Sequence, residues 1–458
     1  MKNSNNYHVS HAFQSYEAAL AFLYKAIDYE KLIGYQYNAS TFSLDRMEKL
    51  LAFVGNPQKG LPCIHITGTK GKGSTAIMIA TILEHGGLTT GLFTSPHLVD
   101  LRERIQIDHQ KISESEFISI LNELRPYIQY LRETELSTSP TFFEILTAVG
   151  MLHFKKKQIA MAVLEVGLGG RLDSTNVVIP QVSIITNIGF DHTAILGNTL
   201  PDIAYEKAGI IKQGVPVVSG VEDADALSVV EKICREKDAP LYLLGRNLWV
   251  EEVQGFERNG TRGMICKIKT WRQTYGDIFL PLVGFHQAKN CALVLGALEV
   301  LRERGIITVD HKIIQKALTS LHCPARIEVV AKNPFILLDF AHTVDSMRFL
   351  KKALVENFKF RKLILILGLS QDKDLDNILK EIVAEANTII TTRSKNPRAA
   401  TPADLSQRIE NLCGKRSEKA DNVQDAIIAA KQIASPEDLI CITGSAYVAG
   451  EARQVLPL

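Results

Sequence analysis

Short apolar runs alternate with longer segments of helical periodicity through the first half of the chain. The apolar runs predict strands at residues 64–67, 90–93, 161–165, 182–187 and 215–219. The longer segments predict helices at residues 73–85, 114–131 and 141–156, and residues 13–53 also carry a helical pattern. Strands that alternate with helices in this way are typical of a parallel sheet covered by helices.

The pattern changes between residues 240 and 283, where glycines are frequent. Alternating positions at residues 241–244 and 263–270 predict a small antiparallel sheet, which a helix at residues 287–302 follows. A second alternating series then predicts strands at residues 335–339, 363–367, 388–391 and 439–443. Its predicted helices lie at residues 346–357, 375–385, 402–412 and 423–434.

These patterns together predict an α/β protein of two domains. The first, residues 1–322, combines a mostly parallel sheet with the small antiparallel sheet, and the second, residues 323–458, is a smaller, Rossmann-like α/β domain. A chain of 458 residues supports this division, because single hydrophobic cores stop growing at roughly 250–300 residues.

Composition and charge narrow the range of partners. The net charge is only +2, so no strongly basic surface argues for a nucleic-acid partner. The seven cysteines stand singly, without paired or metal-type spacing, which suits a reducing compartment. No apolar core of a signal peptide is present at the start, and no apolar stretch reaches the roughly 18 residues that span a membrane. We therefore expect a cytoplasmic protein without a membrane partner.

A glycine-rich loop, Thr-Gly-Thr-Lys-Gly-Lys-Gly-Ser-Thr at residues 67–75, separates the first predicted strand from the next predicted helix. Such a loop binds phosphate oxygens through backbone N–H groups at the helix start. Lys72 suits the β- and γ-phosphates, and Ser74 can offer its hydroxyl to Mg²⁺. A simple glycine turn is the alternative, but the order of strand, lysine, hydroxyl and helix favours a nucleoside triphosphate site.

Polar residues follow two further predicted strands. Glu165 ends one strand ahead of the glycine-rich residues 167–170, and Asp191 and His192 follow another. The carboxyl ends of parallel strands meet at one edge, where ligands bind. Ser, Glu and His side chains suit Mg²⁺ or Mn²⁺ better than structural zinc. A loop salt bridge for Glu165 and a structural role for His192 are the alternatives.

Charged residues elsewhere add weaker signals. Lys207 lies in a partly apolar segment, and beside a metal–phosphate site its pKa would shift or its amine would be modified. A surface lysine is the alternative. Arg326 suits planar recognition of phosphate or carboxylate, and Asp339 and His342 close a predicted strand. Residues 368–374 are highly charged, which a solvated loop explains equally well.

Together these segments resemble the Mur ligase superfamily, and most closely its folylpolyglutamate synthase and dihydrofolate synthase branch. The resemblance runs in order from about residue 40 to the C-terminus. The matching segments are residues 67–74, 93–98, 102–104, 141–144, 164–176, 191–197, 206–209, 325–326, 339–342, 368–374 and 443–450. The resemblance implies a Mur-ligase-like P-loop ATPase domain followed by a ligase domain. It also implies an ATP-dependent amide ligase that joins L-glutamate to dihydropteroate or folates through an acyl phosphate.

The resemblance also implies roles for individual residues. The residues that would contact ATP are Thr69, Lys70, Gly71, Lys72, Gly73, Ser74, Asn290, Arg326, Asp339 and His342. The ligands for two Mg²⁺ ions, or Mn²⁺ instead, would be Ser95, Glu165, His192 and a carbamylated Lys207. The residues with catalytic roles would be Lys72, Lys207 and His192. The residues that would contact the pterin or its linker are Thr41, Phe42, Phe143, Glu144, Leu172, Asp173 and Ser174.

Two positions depart from the family pattern. The family usually has Asn where Lys70 stands, and the added charge could tighten ATP binding or face solvent. The family also favours Asn where Thr343 follows Asp339–His342. Thr343 keeps a hydrogen-bonding group but loses the amide, so the resemblance does not define the details of that loop.

Two alternative functions remain open at this point. A peptidoglycan-precursor ligase usually carries a nucleotide-sugar domain before its P-loop, and the 66 residues before Thr67 are too few for one. A non-catalytic nucleotide-binding partner would have no need to keep Lys72, Glu165, His192 and Lys207. Within the folate branch, our hypothesis is a bifunctional enzyme that adds the first and later glutamates. The family expectation for its assembly is a monomer.

Overall fold

The computed structural model describes residues 12–30, 32, 42, 44–134, 138–258 and 261–456. The elements up to residue 165 are α1 (Tyr16–Leu23), α2 (Leu44–Phe53), β1 (Cys63–Thr67), α3 (Lys72–His85), β2 (Thr90–Phe93), β3 (Ile105–Ile107), β4 (Gln110–Lys111), α4 (Glu114–Thr134), α5 (Phe142–Lys156) and β5 (Met161–Glu165). The next are β6 (Val182–Ile185), α6 (Thr193–Leu196), α7 (Leu200–Ala208), β7 (Val217–Ser219), α8 (Ala224–Glu236), β8 (Leu241–Leu243), β9 (Trp249–Arg258), β10 (Thr261–Lys269), β11 (Thr274–Leu280), α9 (Phe285–Glu303) and α10 (His311–Thr319). None of the helices in the described residues combines the length and the apolar character needed to cross a membrane.

The first unit is built on an eight-stranded sheet in the order β4-β3-β2-β5-β1-β6-β7-β8. The strands from β2 to β8 in this order run parallel, and β3 and β4 add an antiparallel edge. One face packs on α3, α9 and α10, and the other packs on α1, α2, α4 and α5. Burial on both faces explains why the inner strands are continuous apolar runs. Because β1 lies between β5 and β6, the loops after these strands open at the same edge.

A second sheet of three antiparallel strands has the order β11-β10-β9. Its apolar side chains, among them Met264, Ile268 and Ile278, join the core that contains α9 and α10. The prediction that residues 241–244 belong to this sheet is wrong, because Leu241–Leu243 forms β8 and pairs in parallel with β7. A three-residue edge strand has the same alternation in either kind of sheet. The helix α8, which the sequence analysis missed, is the crossover that makes β8 parallel.

The second unit continues with β12 (Glu328–Ala331), β13 (Phe335–Leu338), α11 (Val344–Asn357), β14 (Leu363–Leu367), α12 (Leu375–Ile382), β15 (Thr388–Thr391), α13 (Pro402–Cys413), β16 (Glu418–Lys419), α14 (Val423–Ile433), β17 (Leu439–Thr443) and α15 (Ala446–Val455). Its sheet order is β12-β13-β17-β14-β15-β16, with β12 antiparallel and the others parallel. Helices α11–α13 cover one face, and α14 and α15 cover the other. The predicted α/β fold class is thereby confirmed. The predicted division after residue 322 falls between α10 and β12, and it stays a prediction.

Side chains on both sides connect the two units. Arg262 on β10 donates a hydrogen bond to the carbonyl of Asn357, and its guanidinium lies 5.0 Å from the Phe335 ring centre and 5.1 Å from that of Phe358. Leu98, which follows β2, packs against the apolar cluster beneath α14 and α15. Lys373, in the loop after β14, lies 3.7 Å from Asp191, in the loop after β6, so loops at the carboxyl ends of the two parallel sheets face each other across one cleft.

Candidate active site

The loop between β1 and α3 leaves a helix N-terminus uncapped. Gly71 stands at the N-cap position with φ 83°, and it has no side chain that could accept from the first N–H groups of α3. A Cβ atom there would lie 2.5 Å from Oδ1 of Asn290, so the position requires glycine for space as well as for its backbone angle. Lys72 donates its Nζ to the carbonyl of Gly68 at 3.0 Å. Free N–H groups and a lysine at a helix start form an anion site.

The loop after β6 holds the glycine-rich loop in shape. The Thr186 hydroxyl donates to the Lys70 carbonyl at 2.6 Å, and Asn187 accepts from the Lys70 amide at 2.9 Å. The Thr69 hydroxyl bonds both the carbonyl and the amide of Gly189, at 3.1 and 3.0 Å. The backbone is therefore fixed before any ligand binds. Thr186 and Asn187 were not predicted as site residues, although polar residues at the carboxyl end of a predicted strand were a signal for them.

Asn290 and one further residue of α9 face the glycine-rich loop. Gln287 places Nε2 at 3.5 Å from the Ser74 hydroxyl, and its Oε1 accepts from Asn290 at 3.1 Å. All three side chains are buried. Gln287 lies one helical turn before Asn290, a spacing that puts both on one face of α9. The sequence analysis predicted Asn290 and missed Gln287.

Glu165 lies buried at the carboxyl end of β5, next to the start of α3. Its Oε2 accepts from the Ser95 amide at 3.1 Å and lies 3.5 Å from the position of a Cβ atom on Gly73. Burial raises the pKa of Glu165, and the positive charge of Lys72 opposes that rise. The structure thus brings Ser95 and Glu165 together next to Gly73, the neighbour of Ser74, and their role as metal ligands stays a prediction.

His192 and Lys207 carry nitrogen atoms near this edge, and the His192 side chain is 38% exposed whereas that of Lys207 is buried. His192 precedes α6, and its Nε2 lies 3.8 Å from Oδ1 of Asp191. Burial lowers the pKa of His192 to about 4, so the imidazole is neutral, which is its metal-binding form. Lys207 on α7 is only 5% exposed, so the surface-lysine alternative is wrong. Burial, with repulsion from Lys72, lowers the pKa of Lys207 to about 7.

The donors at this edge fit a magnesium ion better than a structural zinc ion. Hydroxyl, carboxylate and imidazole groups are available from Ser74, Ser95, Glu165 and His192. Among the residues that the structure describes, no group of three or more His, Cys, Asp and Glu side chains is arranged to hold a metal. Oxygen ligands supplemented by water and phosphate are what Mg²⁺ prefers. The chemistry of this donor set therefore fits the predicted cofactor.

The second unit brings Arg326, Asp339 and His342 to the same cleft. The Arg326 guanidinium stacks 3.7 Å from the ring centre of Phe340, and it interacts electrostatically with Asp339 and, across the cleft, with Glu165. Asp339 accepts from the amides of Ile327 and Ala341 at 3.1 and 2.7 Å. Burial raises the pKa of Asp339 to about 6. The Nδ1 atom of His342 lies 2.9 Å from the Phe340 carbonyl, so Nε2 is the ring nitrogen that could bond a ligand.

Both departures from the family pattern have structural partners. Thr343 caps α11, and its hydroxyl accepts from the amide of Ser346 at 3.3 Å. The Nζ atom of Lys70 donates to Oδ2 of Asp191 at 2.8 Å. Thr343 thus keeps the capping role that Asn also favours. Lys70 directs its charge to a carboxylate, so its side chain does not simply face solvent.

The predicted pterin-contacting residues divide into two groups. Phe143 lies near the glycine-rich residues 167–170, because a Cβ atom on Gly167 would lie 2.6 Å from its ring. The Glu144 carboxylate, in contrast, accepts from the Arg46 guanidinium at 2.7 Å and from the Thr141 amide at 2.7 Å. The Glu144 carboxylate therefore already has hydrogen-bonding partners within the protein.

The loop that contains Leu172, Asp173 and Ser174 is likewise internally bonded. Asp173 accepts from the Leu168 amide at 2.9 Å and from the Thr175 hydroxyl at 2.6 Å, and the Ser174 hydroxyl lies 2.7 Å from that of Thr147. The Phe42 ring lies 4.9 Å from that of Tyr29. Thr41 lies outside the described residues. The substrate roles of all these residues stay predictions.

Comparison with known proteins places this site in a family. The Mur ligase middle domain matches residues 66–298, and the Mur ligase, glutamate ligase domain matches residues 325–446. The dihydrofolate synthase/folylpolyglutamate synthase of Bacillus subtilis is 34% identical over 414 residues, which cover 90% of this chain and 94% of that protein. This chain is a Mur ligase of the dihydrofolate synthase/folylpolyglutamate synthase family.

Solved structures of this Mur ligase family agree with that assignment. The folylpolyglutamate synthase of Mycobacterium tuberculosis complexed with ADP has a TM-score of 0.87 and 30% identity, covering 96% of this chain and 98% of that one. E. coli FolC in complex with DHPP and ADP has a TM-score of 0.84 and 26% identity, covering 98% of this chain and 99% of that one. The predicted family and the predicted ATP-dependent ligase are confirmed. The relatives favour the folate branch over a peptidoglycan-precursor ligase.

Proposed function

We propose that this chain joins L-glutamate to dihydropteroate and to reduced folates, with ATP as the source of energy. The observation that carries the proposal is the arrangement of Lys72, Glu165 and buried Lys207 around the uncapped start of α3. Relatives of similar length, such as the B. subtilis enzyme named for both activities, support it. E. coli FolC binds DHPP and ADP together, which supports a pterin substrate next to the nucleotide.

The reaction has two chemical steps. A carboxylate oxygen of the pteroyl or folyl substrate attacks the γ-phosphorus of ATP, which gives an acyl phosphate and ADP. The amine of L-glutamate then attacks the acyl carbon, phosphate leaves, and the amine loses a proton. Backbone N–H groups of residues 71–74 and the Lys72 ammonium would bind the triphosphate and neutralise the charge that develops during transfer. The enzyme thus contributes mainly orientation and charge.

Ser74, Ser95, Glu165 and His192 would hold Mg²⁺, or Mn²⁺ in its place. When bound, the cation neutralises phosphate charge and orients the oxygen atoms of both substrates. Lys207 can react as a free amine with CO₂, which gives a carbamate and one proton. The low pKa of Lys207 supports this step, since about half of its amine is neutral near pH 7. The carbamate would supply the oxygens for a second cation.

Residues of the second unit would close over the nucleotide. We assign Arg326 and His342 of the second unit, together with Asn290 on α9 of the first unit, to contacts with ATP or the transferred phosphoryl group. Asp339 orients its neighbours, because both of its oxygens accept backbone amides. Phe143, Leu172 and Ser174 would line the pterin site together with Phe42. Glu144 and Asp173, whose carboxylates are held internally, would shape that site. The cytoplasmic location, the monomeric state and the absence of a nucleic-acid partner stay predictions.

The proposed activity is tested by phosphate release from ATP that depends on L-glutamate. We expect release with dihydropteroate and also with tetrahydrofolate, and mass spectrometry should show products heavier by one glutamyl residue. Activity with only one of the two substrates would contradict the bifunctional hypothesis. No release with any pterin substrate would overturn the proposal, and release with a nucleotide-linked peptidoglycan precursor would favour that alternative.

Substitution of Gly71 by alanine should weaken nucleotide binding. The added methyl group would lie 2.5 Å from Asn290 and would force the loop and α9 apart. We expect the Kd for ADP, measured by isothermal titration calorimetry, to rise about tenfold, which corresponds to about 1.4 kcal/mol.

Gly87 provides a matched control for this substitution. Its φ of 80° is close to the 83° of Gly71, but no atom lies within 4 Å of a Cβ atom there. Gly87→Ala should therefore lose about 1–2 kcal/mol of stability from the left-handed backbone alone and keep its affinity for ADP. Equal loss of affinity in both variants would show that stability, not the loop geometry, controls binding.

A further inference from the structure

Asp191 connects cationic side chains from both units. Its Oδ2 accepts from Nζ of Lys70 at 2.8 Å, and its Oδ1 lies 3.7 Å from Nζ of Lys373. The backbone amide of His192 donates to the same Oδ1 at 2.9 Å, which fixes the direction of the carboxylate. The side chains of Asp191 and Lys373 are only 10% and 15% exposed. The Asp191 carboxylate therefore contacts cationic side chains of both units.

The three residues lie on three loops that are far apart in the sequence. Lys70 belongs to the glycine-rich loop before α3, Asp191 to the loop before α6, and Lys373 to the loop between β14 and α12. Lys373 is also 3.9 Å from Asp372, and Asp372 pairs with Arg398 at 3.4 Å. The second unit thus holds Lys373 in place from its own side. We call Lys70, Asp191 and Lys373 the cleft bridge.

The charges of the cleft bridge are strongly coupled. Burial would raise the pKa of Asp191, but Lys70, His192, Lys373 and His342 together hold it well below its usual value. Burial lowers the pKa of Lys70, and the Asp191 carboxylate opposes that change. Two lysines share one carboxylate beside the third lysine, Lys72, so positive charge is in excess. Removal of Asp191 would leave Lys70 and Lys373 to repel each other and would drive the loops apart.

We propose that Asp191 is a positioning residue that ties the glycine-rich loop to the 368–374 loop and so sets the closed spacing of the two units. In this arrangement Lys70 holds Asp191 and does not contact phosphate. The spacing follows from the geometry alone, whereas its effect on turnover rests on the proposed function. The bridge sets the fraction of molecules in which the two units are closed, and its side chains do not touch the nucleotide. Residues 71–74 of the first unit would bind the triphosphate, whereas closure would bring Arg326 and His342 to the transferred phosphoryl group, so loss of the bridge should lower kcat and leave the KM for ATP nearly unchanged.

The spacing is measured directly by pulsed electron paramagnetic resonance. Nitroxide labels on Arg235→Cys and Glu410→Cys, which are exposed positions in the two units, report the distance between the units. Asp191→Asn and Lys373→Gln should each give a longer and broader distance distribution than the parent protein. Lys373→Arg, which keeps the charge, should restore the parent distribution. Matched controls are Asp376→Asn and Lys351→Gln, which break the surface pairs with Arg408 and Glu385 within the second unit.

Steady-state kinetics distinguish a role of Lys70 in the cleft bridge from a role as a phosphate ligand. For Lys70→Asn and Lys373→Gln we expect kcat to fall about tenfold while the KM for ATP stays within about twofold. Asp191→Asn could act through the neighbouring His192 or could fail to fold. Lys373→Gln tests the same bridge without either effect, because Lys373 lies on the other unit. Parent-like distances in both Asp191→Asn and Lys373→Gln would overturn the proposal. So would a raised KM for ATP with unchanged kcat in Lys70→Asn. A parent protein without ligase activity would refute the proposed function and leave the distance test intact.

Discussion

Replacement of Lys72 by methionine is expected to lower kcat/KM for ATP by about 10³-fold, the size of effect seen when one preorganised charge donor is removed. Lys72 opens α3, and its ammonium bonds the Gly68 carbonyl of its own loop at 3.0 Å. That weak internal bond is easily exchanged for phosphate oxygens. Methionine keeps the aliphatic length of the side chain and removes the charge. The loss should therefore fall on the transfer step and not on folding.

The measurement is steady-state phosphate release with ATP varied at saturating L-glutamate and dihydropteroate. Lys59→Met is the matched control, because Lys59 is an exposed lysine in the segment before β1. Lys59→Met should retain full activity. Its thermal unfolding temperature should equal that of Lys72→Met. Activity of Lys72→Met within about fivefold of the parent protein would be too small an effect for a transition-state charge donor, and it would remove Lys72 from the mechanism.

The parallel strands were the most predictable elements of the fold. The predicted bounds of β2, β5, β14, β15 and β17 match the observed ones, because strands buried on both faces are unbroken apolar runs that polar or glycine residues end sharply. Edge strands lack this signal. The sequence analysis therefore missed β3 and β12, and it assigned β8 to the wrong sheet. Their pairing depends on neighbours that the local pattern does not contain.

The site was predictable where chemistry follows local geometry. A residue that ends a parallel strand must face the ligand edge, so Glu165 could be placed from the sequence alone. The direction of Lys70 could not, because its partner Asp191 lies 121 residues further along the chain. The partner of Glu144 could not be predicted for the same reason, since the guanidinium that pairs with its carboxylate belongs to Arg46, 98 residues earlier. Such contacts exist only once the sheet has brought distant loops together.

The lysine on α7 gives the second large expected effect. Lys207→Ala should reduce ligase turnover by about 10³-fold, because it removes both the buried amine and the carboxylate that CO₂ would form on it. Lys207 is 5% exposed, and its pKa of about 7 lies well below the usual 10.5 of lysine. Burial favours the neutral amine, and only the neutral amine reacts with CO₂. At a pH below 7 most of the amine is protonated, so turnover of the parent protein should fall as the pH is lowered through that value.

Two measurements distinguish a carbamate from a simple buried lysine. Parent protein equilibrated with ¹³C-bicarbonate should show a carbamate carbon signal that Lys207→Ala lacks, and acetate or formate should restore part of the activity of that variant. Lys212→Met is the control, because Lys212 is a partly buried lysine that bonds the Asn176 carbonyl at 2.9 Å and has no role in the proposed site. It should keep both the signal and activity within a few-fold. Parent-level turnover in folded Lys207→Ala would refute the carbamate. Loss of turnover without a labelled carbon signal would instead assign the role of Lys207 to its ammonium charge.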